Sequence, residues 1–365
     1  MPESANLALA KLEVSRFTEK DLSEFIALAH SEYGPSDATN FDHIYWKHAA
    51  SPFGASTYIR LVADGKTVGC ALLQPGLICT ESGRFNVACV TDVIVAPAFR
   101  SPPTNFIDLT NASGNIADFS AVYHTGNNRT APLYRKLLRF PMPISLQGYG
   151  LPVRFSGFFR KISGYRIGIL DWLILPFRWL IEAVADIAVR AARLDISARL
   201  PDDDALASLC AKSVSNSGPI FARNRSFLKW RLIDAPLWAA TVYCVERNGA
   251  FLGYVATRKL EFKGLAFLIL VDFLLDPDLS FSDRFALRSW LASQAVKSGV
   301  DALFTMINPR SKLARICAGF PLARIPERLL PSHGMPIFVR SKAGSARHLE
   351  TERATHVTFA DLDLF

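Results

Sequence analysis

Apolar and polar positions change period along the chain, and each change marks an element. Residues 12–18 (LEVSRFT) alternate apolar and polar, the two-residue period of a half-buried strand. Over 19–33, Leu22, Phe25, Ile26 and Ala29 fall on one side of a 3.6-residue period, which predicts an amphipathic helix with Thr18 as its N-cap. A helical turn over 41–48 stops at Ser51-Pro52. The runs 57–63 and 66–73 flank Asp64-Gly65, a strong signal for a two-residue hairpin turn. Next come a strand over 83–97, a helix over 104–117, a strand over 121–125 and a helix over 131–138.

The succession returns in the second half. A helix over 205–213 is followed by a hairpin over 242–258 around Asn248-Gly249, a strand over 266–275, an amphipathic helix over 281–297, and strands over 302–307 and 337–339. Individual residues recur with it. Trp46, Pro52, Gly65 and Gly69 have the mutual spacing of Trp230, Pro236, Gly249 and Gly253, and Asp92 stands before Pro97 as Asp272 stands before Pro277. Asn127 and Phe140 likewise match Asn308 and Phe320. The offset is 184 residues at the tryptophans and 180 at the aspartates, the pattern of a duplicated domain rather than a solenoid. The expectation is a mixed α/β protein of two tandem copies, 10–145 and 201–340, joined by a helical linker over 146–200. A tail over 341–365 receives no assignment.

The linker holds the most apolar run, GILDWLILPFRWLIEAVADIAVRAARL. Asp171, Arg178, Glu182 and Asp186 inside it oppose a bilayer span, and Pro176 should kink it. It reads as a connecting helix packed on both copies. The alternative is an interfacial helix over 168–193 touching a membrane surface, with Trp172, Phe177 and Trp179 beside Arg160, Lys161, Arg166, Arg178, Arg190 and Arg193.

Composition narrows the class. With 50% hydrophobic and 20% charged residues the chain is globular rather than disordered or fibrous. The net charge of +8 suits an anionic ligand, an acidic polymer or a membrane surface, but no Lys/Arg run has the length of a nucleic-acid tail. Six cysteines are scattered through apolar runs without a C-x-x-C pair or Cys/His spacing for a metal. They read as buried thiols in a reducing compartment, with no metal expected. The first residues lack the basic and long apolar regions of a signal peptide, so a cytoplasmic location is expected.

Two segments carry a resemblance: Asp92-Val-Ile-Val-Ala-Pro97-Ala-Phe-Arg100, and GNNRTAPLYRKLLRF around Asn127, Leu133, Tyr134, Lys136 and Phe140. With the paired layout they resemble the GNAT superfamily of CoA-dependent acyltransferases in its bacterial tandem form. In that family the strand exit and helix start hold the CoA pyrophosphate, an anion at a helix N-terminus. The resemblance therefore implies acetyl-CoA or another acyl-CoA as co-substrate, with Val93, Val95, Arg100, Ser101, Thr104 and Asn127 as its contacts. The sequence departs from the family at the loop. Arg100-Ser101-Pro102-Pro103-Thr104-Asn105 has no glycine, and Pro102 and Pro103 bring no N–H donor. The second copy has Ser280 where the first has Arg100, and Arg315 in place of Tyr134.

Acyl transfer needs a base near the nucleophile, an acid for the departing thiolate and donors for the oxyanion. Tyr134 is the acid candidate and His124, at a strand end, a base candidate or a structural histidine. Asp92 and Asp272 lie inside apolar strands, where an unpaired charge is costly. Each is a base of shifted pKa or, as the recurrence favours, a structural carboxylate with a partner. Trp46 and Trp230 read as core anchors or as walls of the acceptor pocket, to which Asp272 and Arg315 would also contribute. Three functions follow: acyl transfer to an amine or hydroxyl of a small metabolite or sugar precursor, a Fem-type aminoacyl transfer, and a non-catalytic ligand-binding or partner-binding tandem module.

Overall fold

A computed structural model describes residues 10–101, 104–127, 130–155, 157, 175–330, 335–342, 344 and 346–362. The elements run β1 (Lys11–Arg16), α1 (Leu22–Tyr33), α2 (Phe41–His48), β2 (Thr57–Ala63), β3 (Lys66–Thr80), β4 (Gly83–Val95), α3 (Thr104–Ser113), β5 (Ala121–Thr125) and β6 (Ile144–Pro152). They continue α4 (Leu175–Ala191), β7 (Leu194–Ala198), α5 (Asp203–Ser217), β8 (Ile220–Phe221), α6 (Arg225–Leu228), β9 (Thr241–Arg247), β10 (Ala250–Phe262), β11 (Leu265–Leu275), α7 (Phe281–Lys297), β12 (Ala302–Ile307), β13 (Ala323–Arg324) and β14 (Met335–Ser341).

Local chemistry explains the hairpins. Asp64 and Gly65 have φ of 50° and 72°, and Asn248 and Gly249 have 49° and 80°, so both central turn residues adopt the left-handed region that matches strand twist. The strands of both hairpins join one mixed sheet, in the order β1-β2-β3-β4-β5-β14-β6-β12-β11-β10-β9-β7. The order reads alike from either edge. β4 and β5 are parallel, as are β11 and β12, while β14 and β6 meet antiparallel at the centre. α3 covers the first half of the sheet, and α4 and α7 pack on each other beside the second.

Two departures from the expected domain scheme follow from that centre. The start of the expected helical linker is a strand, because the Ile144–Pro152 stretch is buried along nearly its whole length and pairs with β12 from Gln147 against Ile307 to Pro152 against Ala302. In return β14, close to the C-terminus, pairs with β5 of the first half, Ile337 against Thr125 and Ser341 against Ala121. Each half therefore completes the other's ladder.

The tail left unassigned is also part of the core. Val357, Phe359 and Leu362 are buried, each worth about 1.5–3 kcal/mol of apolar burial. Arg231 donates to the carbonyls of Ala360 and Leu362, and Tyr123 Oη donates to the Asp361 carbonyl at 2.8 Å. One large apolar cluster spans both halves, while two smaller ones flank the first half of the sheet. Among the described residues, no helix is long and apolar enough to cross a membrane. α4 does leave Phe177, Trp179, Leu180 and Ile187 exposed on one side, with Ile181 and Ala185 buried on the other. Residues 168–174 of the expected interfacial stretch lie outside the described residues.

Candidate active site

β5 ends at His124 and Thr125, and the chain then enters a turn built by its own side chains. The Thr130 amide donates to Asn127 Oδ1 at 2.9 Å, and the Asn127 amide donates to Thr130 Oγ1 at 3.1 Å. Asn127 thus caps the turn. The helix that follows is a π turn, Leu133–Leu137, closed by the Leu138 amide on the Leu133 carbonyl at 3.0 Å. Arg139 beyond it sits at φ 53°, in the left-handed region.

This turn places Tyr134 against His124, with ring centroids 4.8 Å apart. Phe140 stacks on Tyr134 at 6.0 Å and 11°, and Phe338, from β14, lies 5.3 Å from Tyr134. Burial, with a smaller contribution from Cys89, pushes the Tyr134 phenol above its ordinary value, so it stays protonated at neutral pH. Burial, then the charge of Arg340, pushes His124 down to about 3. A neutral imidazole of that kind is a weak base. Both its ring nitrogens are buried without a hydrogen-bond partner, leaving a donor and an acceptor for a ligand or a water.

Asp92 stands apart from this pair in its partners. It sits at a bulge in β4 with φ 47°, and its Oδ2 accepts from Lys47 Nζ at 2.6 Å and contacts His48 Nε2 at 2.9 Å. Burial raises its pKa, but the Lys47 charge and the His48 contact outweigh that and hold the carboxyl well below the usual range. His48 Nδ1 lies 3.0 Å from Ser56 Oγ. Ser56, His48 and Asp92 have the order of a nucleophilic triad, with Ser56 fully buried. As an ionised, paired carboxylate, Asp92 is a poor proton acceptor.

The expected phosphate loop is also engaged internally. Arg100 Nε donates to the Val95 carbonyl at 2.8 Å and its guanidinium pairs with Glu32. Asn105 Nδ2 donates to the Phe99 carbonyl, tying the start of α3 to the strand exit. Val95 is buried, Val93 lies in the bulge beside Asp92, and Ser101 and Thr104 flank residues 102 and 103, which lie outside the described residues.

In the second half, Asp272 is completely buried and accepts four hydrogen bonds: from Arg223 Nε and Nη2 at 2.9 and 3.0 Å, Tyr254 Oη at 2.7 Å and Thr358 Oγ1 at 2.7 Å. Burial raises its pKa, and Arg223 with these donors more than reverses that, leaving it lowered. Trp46 and Trp230 meet each other. Their rings stack at 5.3 Å, and each indole N–H donates to the other's backbone carbonyl, at 2.8 and 2.9 Å. Both are buried, so they are core anchors rather than pocket walls. Ser280, matching Arg100, caps α7 through Asp283. Arg315 is exposed and lines an open cleft of about 400 Å³.

Sequence reasoning missed Phe338, Arg340, Glu32 and Arg223, which complete these groupings. Phe338 meets Tyr134 across some two hundred residues, and no local pattern signals such a contact. Among the described residues there is no cluster of three or more His, Cys, Asp or Glu able to hold a metal.

No family model matches the chain, and no curated protein matches it in sequence. Its structure is similar to N-myristoyltransferase of Saccharomyces cerevisiae solved with bound myristoyl-CoA and inhibitors (14% identity, TM-score 0.55, 93% of this chain and 82% of that one). It is also similar to GCN5-related N-acetyltransferases of Anabaena variabilis (10% identity, TM-score 0.57, covering 90% and 72%) and Kribbella flavida (10% identity, TM-score 0.53, covering 91% and 72%). The chain therefore has the mixed α/β fold of GNAT-type acyltransferases.

Proposed function

We propose that this protein is an acyl-CoA-dependent acyltransferase that moves an acyl group, in the simplest case acetyl, onto an amine or hydroxyl of a small metabolite or sugar precursor. The observation that carries the reading is the Tyr134–His124 contact at the C-terminal end of β5, on a sheet of acyltransferase fold. β4 and β5 are parallel there, and open α/β sheets bind ligands beyond the C-terminal ends of such strands. Tyr134, held protonated, gives its proton to the departing thiolate, and the proton shed by the attacking amine or hydroxyl returns to the phenolate oxygen. His124, held neutral, offers a hydrogen bond rather than taking the proton. The bulge at Val93, with Val95, Ser101 and Thr104, lies along the path of the co-substrate. The palindromic sheet and the reciprocal tryptophan pair support a chain made of two copies, 10–145 and 201–340. The described cysteines are all free, in keeping with a cytoplasmic location, and the exposed side of α4 supports peripheral membrane contact.

Titration calorimetry with acetyl-CoA and longer acyl-CoAs, followed by thiol-release assays on an amine and amino-sugar panel, tests this reading. Tyr134→Phe should lower turnover about 10²–10⁴-fold with CoA affinity nearly unchanged. Full turnover in that variant would sink the assignment. A non-catalytic binding protein is the second reading, favoured by the Arg100–Glu32 pair that occupies the expected phosphate ligand. CoA binding without thiol release on any acceptor would favour it.

A further inference from the structure

The cleft beside Arg315 lies between the first turns of α7 and the segment after the 3-10 turn Lys312–Ile316. Among the described residues, the guanidiniums of Arg284, Arg288 and Arg315 line it and no carboxylate does. None of the three has an ion-pair partner among the described residues, whereas Arg223, another buried arginine of the second half, pairs with two aspartates. Arg288 is 4% exposed. Its Nη1 donates to the carbonyls of Ala318 at 2.7 Å and Arg315 at 3.2 Å, while its Nε has no hydrogen-bond partner. A buried cation without a counter-ion is costly, and an anion seated in the cleft relieves that cost.

The walls are aromatic. Phe281 and Phe320 are 72% and 68% exposed, and Phe285 lies nearly parallel to Phe320, at 16° with centroids 6.5 Å apart. Gly319, at φ 121°, keeps its side free, because a Cβ there would come within 3.1 Å of Arg288 Nη1. Guanidinium forks match phosphate oxygens in pairs, and exposed phenyl faces take a planar ring.

We propose that this cleft is a binding site for a phosphate-bearing ligand with a planar ring, of the nucleoside diphosphate class. The inference rests on the acyltransferase reading only for the ligand's source. The phosphates are those of a phosphorylated acceptor, because that reading lays the co-substrate along Val93 to Thr104 in the first half.

Calorimetric titration with ADP and with inorganic pyrophosphate tests the site. ADP should bind the wild type more tightly than pyrophosphate does, weaken as salt rises, and lose about 10- to 100-fold in affinity in Arg315→Ala and in Arg284→Ala. Both arginines are at least partly exposed, so the variants should fold, and circular dichroism checks that they do. Simultaneous binding of ADP and acetyl-CoA supports an acceptor site, and competition between them overturns it. Absence of ADP binding at millimolar concentration, or unchanged affinity in both variants, overturns it. Acyl transfer that persists without anion binding separates failure of this inference from failure of the function, and ADP binding without any acyl-CoA binding marks the reverse.

Discussion

Replacing Asp272 by asparagine should destabilise the protein while preserving shape at the site. The carboxylate takes two bonds from Arg223 and one each from Tyr254 and Thr358, at 2.7–3.0 Å, with no exposed surface. Asparagine keeps one acceptor oxygen and turns an NH₂ group toward donors. The hydroxyls of Tyr254 and Thr358 can rotate, but the guanidinium cannot. Removing one partner of a buried ion pair costs about 3–5 kcal/mol. The lower end applies here, since Asp361 still pairs with Arg223 Nη1 at 2.7 Å. In urea, at a slope of about 3 kcal/mol per molar, the midpoint should fall by roughly 1 M. A pH series adds a signature. The Asp272 pKa is lowered in the folded state, so its stabilisation is complete above the unfolded value of about 3.9 and fades as pH falls toward the folded value. The difference between wild type and variant should be flat from pH 8 to 5 and shrink below about pH 4. A loss under about 1 kcal/mol at pH 7, or a difference that ignores pH, would refute the reasoning.

Three further outcomes are expected. Trp46→Phe and Trp230→Phe each remove an indole donor and leave a buried carbonyl unpaired, at about 1–3 kcal/mol apiece, and a double-mutant cycle should show coupling; additive losses would contradict the reciprocal pair. Truncation after residue 354 removes Val357, Phe359, Asp361 and Leu362 from the core and should abolish the near-ultraviolet circular dichroism of a packed native state, whereas a native-like spectrum would show the tail to be dispensable. In the acyl-transfer assay, the pH profile should show no inflection from His124 between pH 5 and 8, because its ring stays neutral down to about 3; a limb near 6.5 that vanishes in His124→Gln would overturn this.

Much of the local structure was legible in the chain. The Asp64-Gly65 and Asn248-Gly249 turns, the apolar strand ending at Leu275, and the helix Phe281–Lys297 follow from periods and turn chemistry that act over a few residues. The spacing of Trp46 and Trp230 singled out two equivalent positions. Only the tertiary structure shows that the two indoles donate to each other, because a contact across 184 residues leaves no mark in either local pattern. The same limit hid the exchange of β6 and β14. Residues 337–339 read as a strand of the second copy and 146–152 as the start of a helical linker, because sheet partners are chosen by burial and free ladder edges, not by a segment's own period. The aspartates show the division most clearly. Sequence placed Asp92 and Asp272 inside apolar strands and required a partner for each. Packing decided that Lys47 and His48 serve one while Arg223, Tyr254 and Thr358 serve the other, since a buried charge takes whatever donors the assembled fold brings within reach.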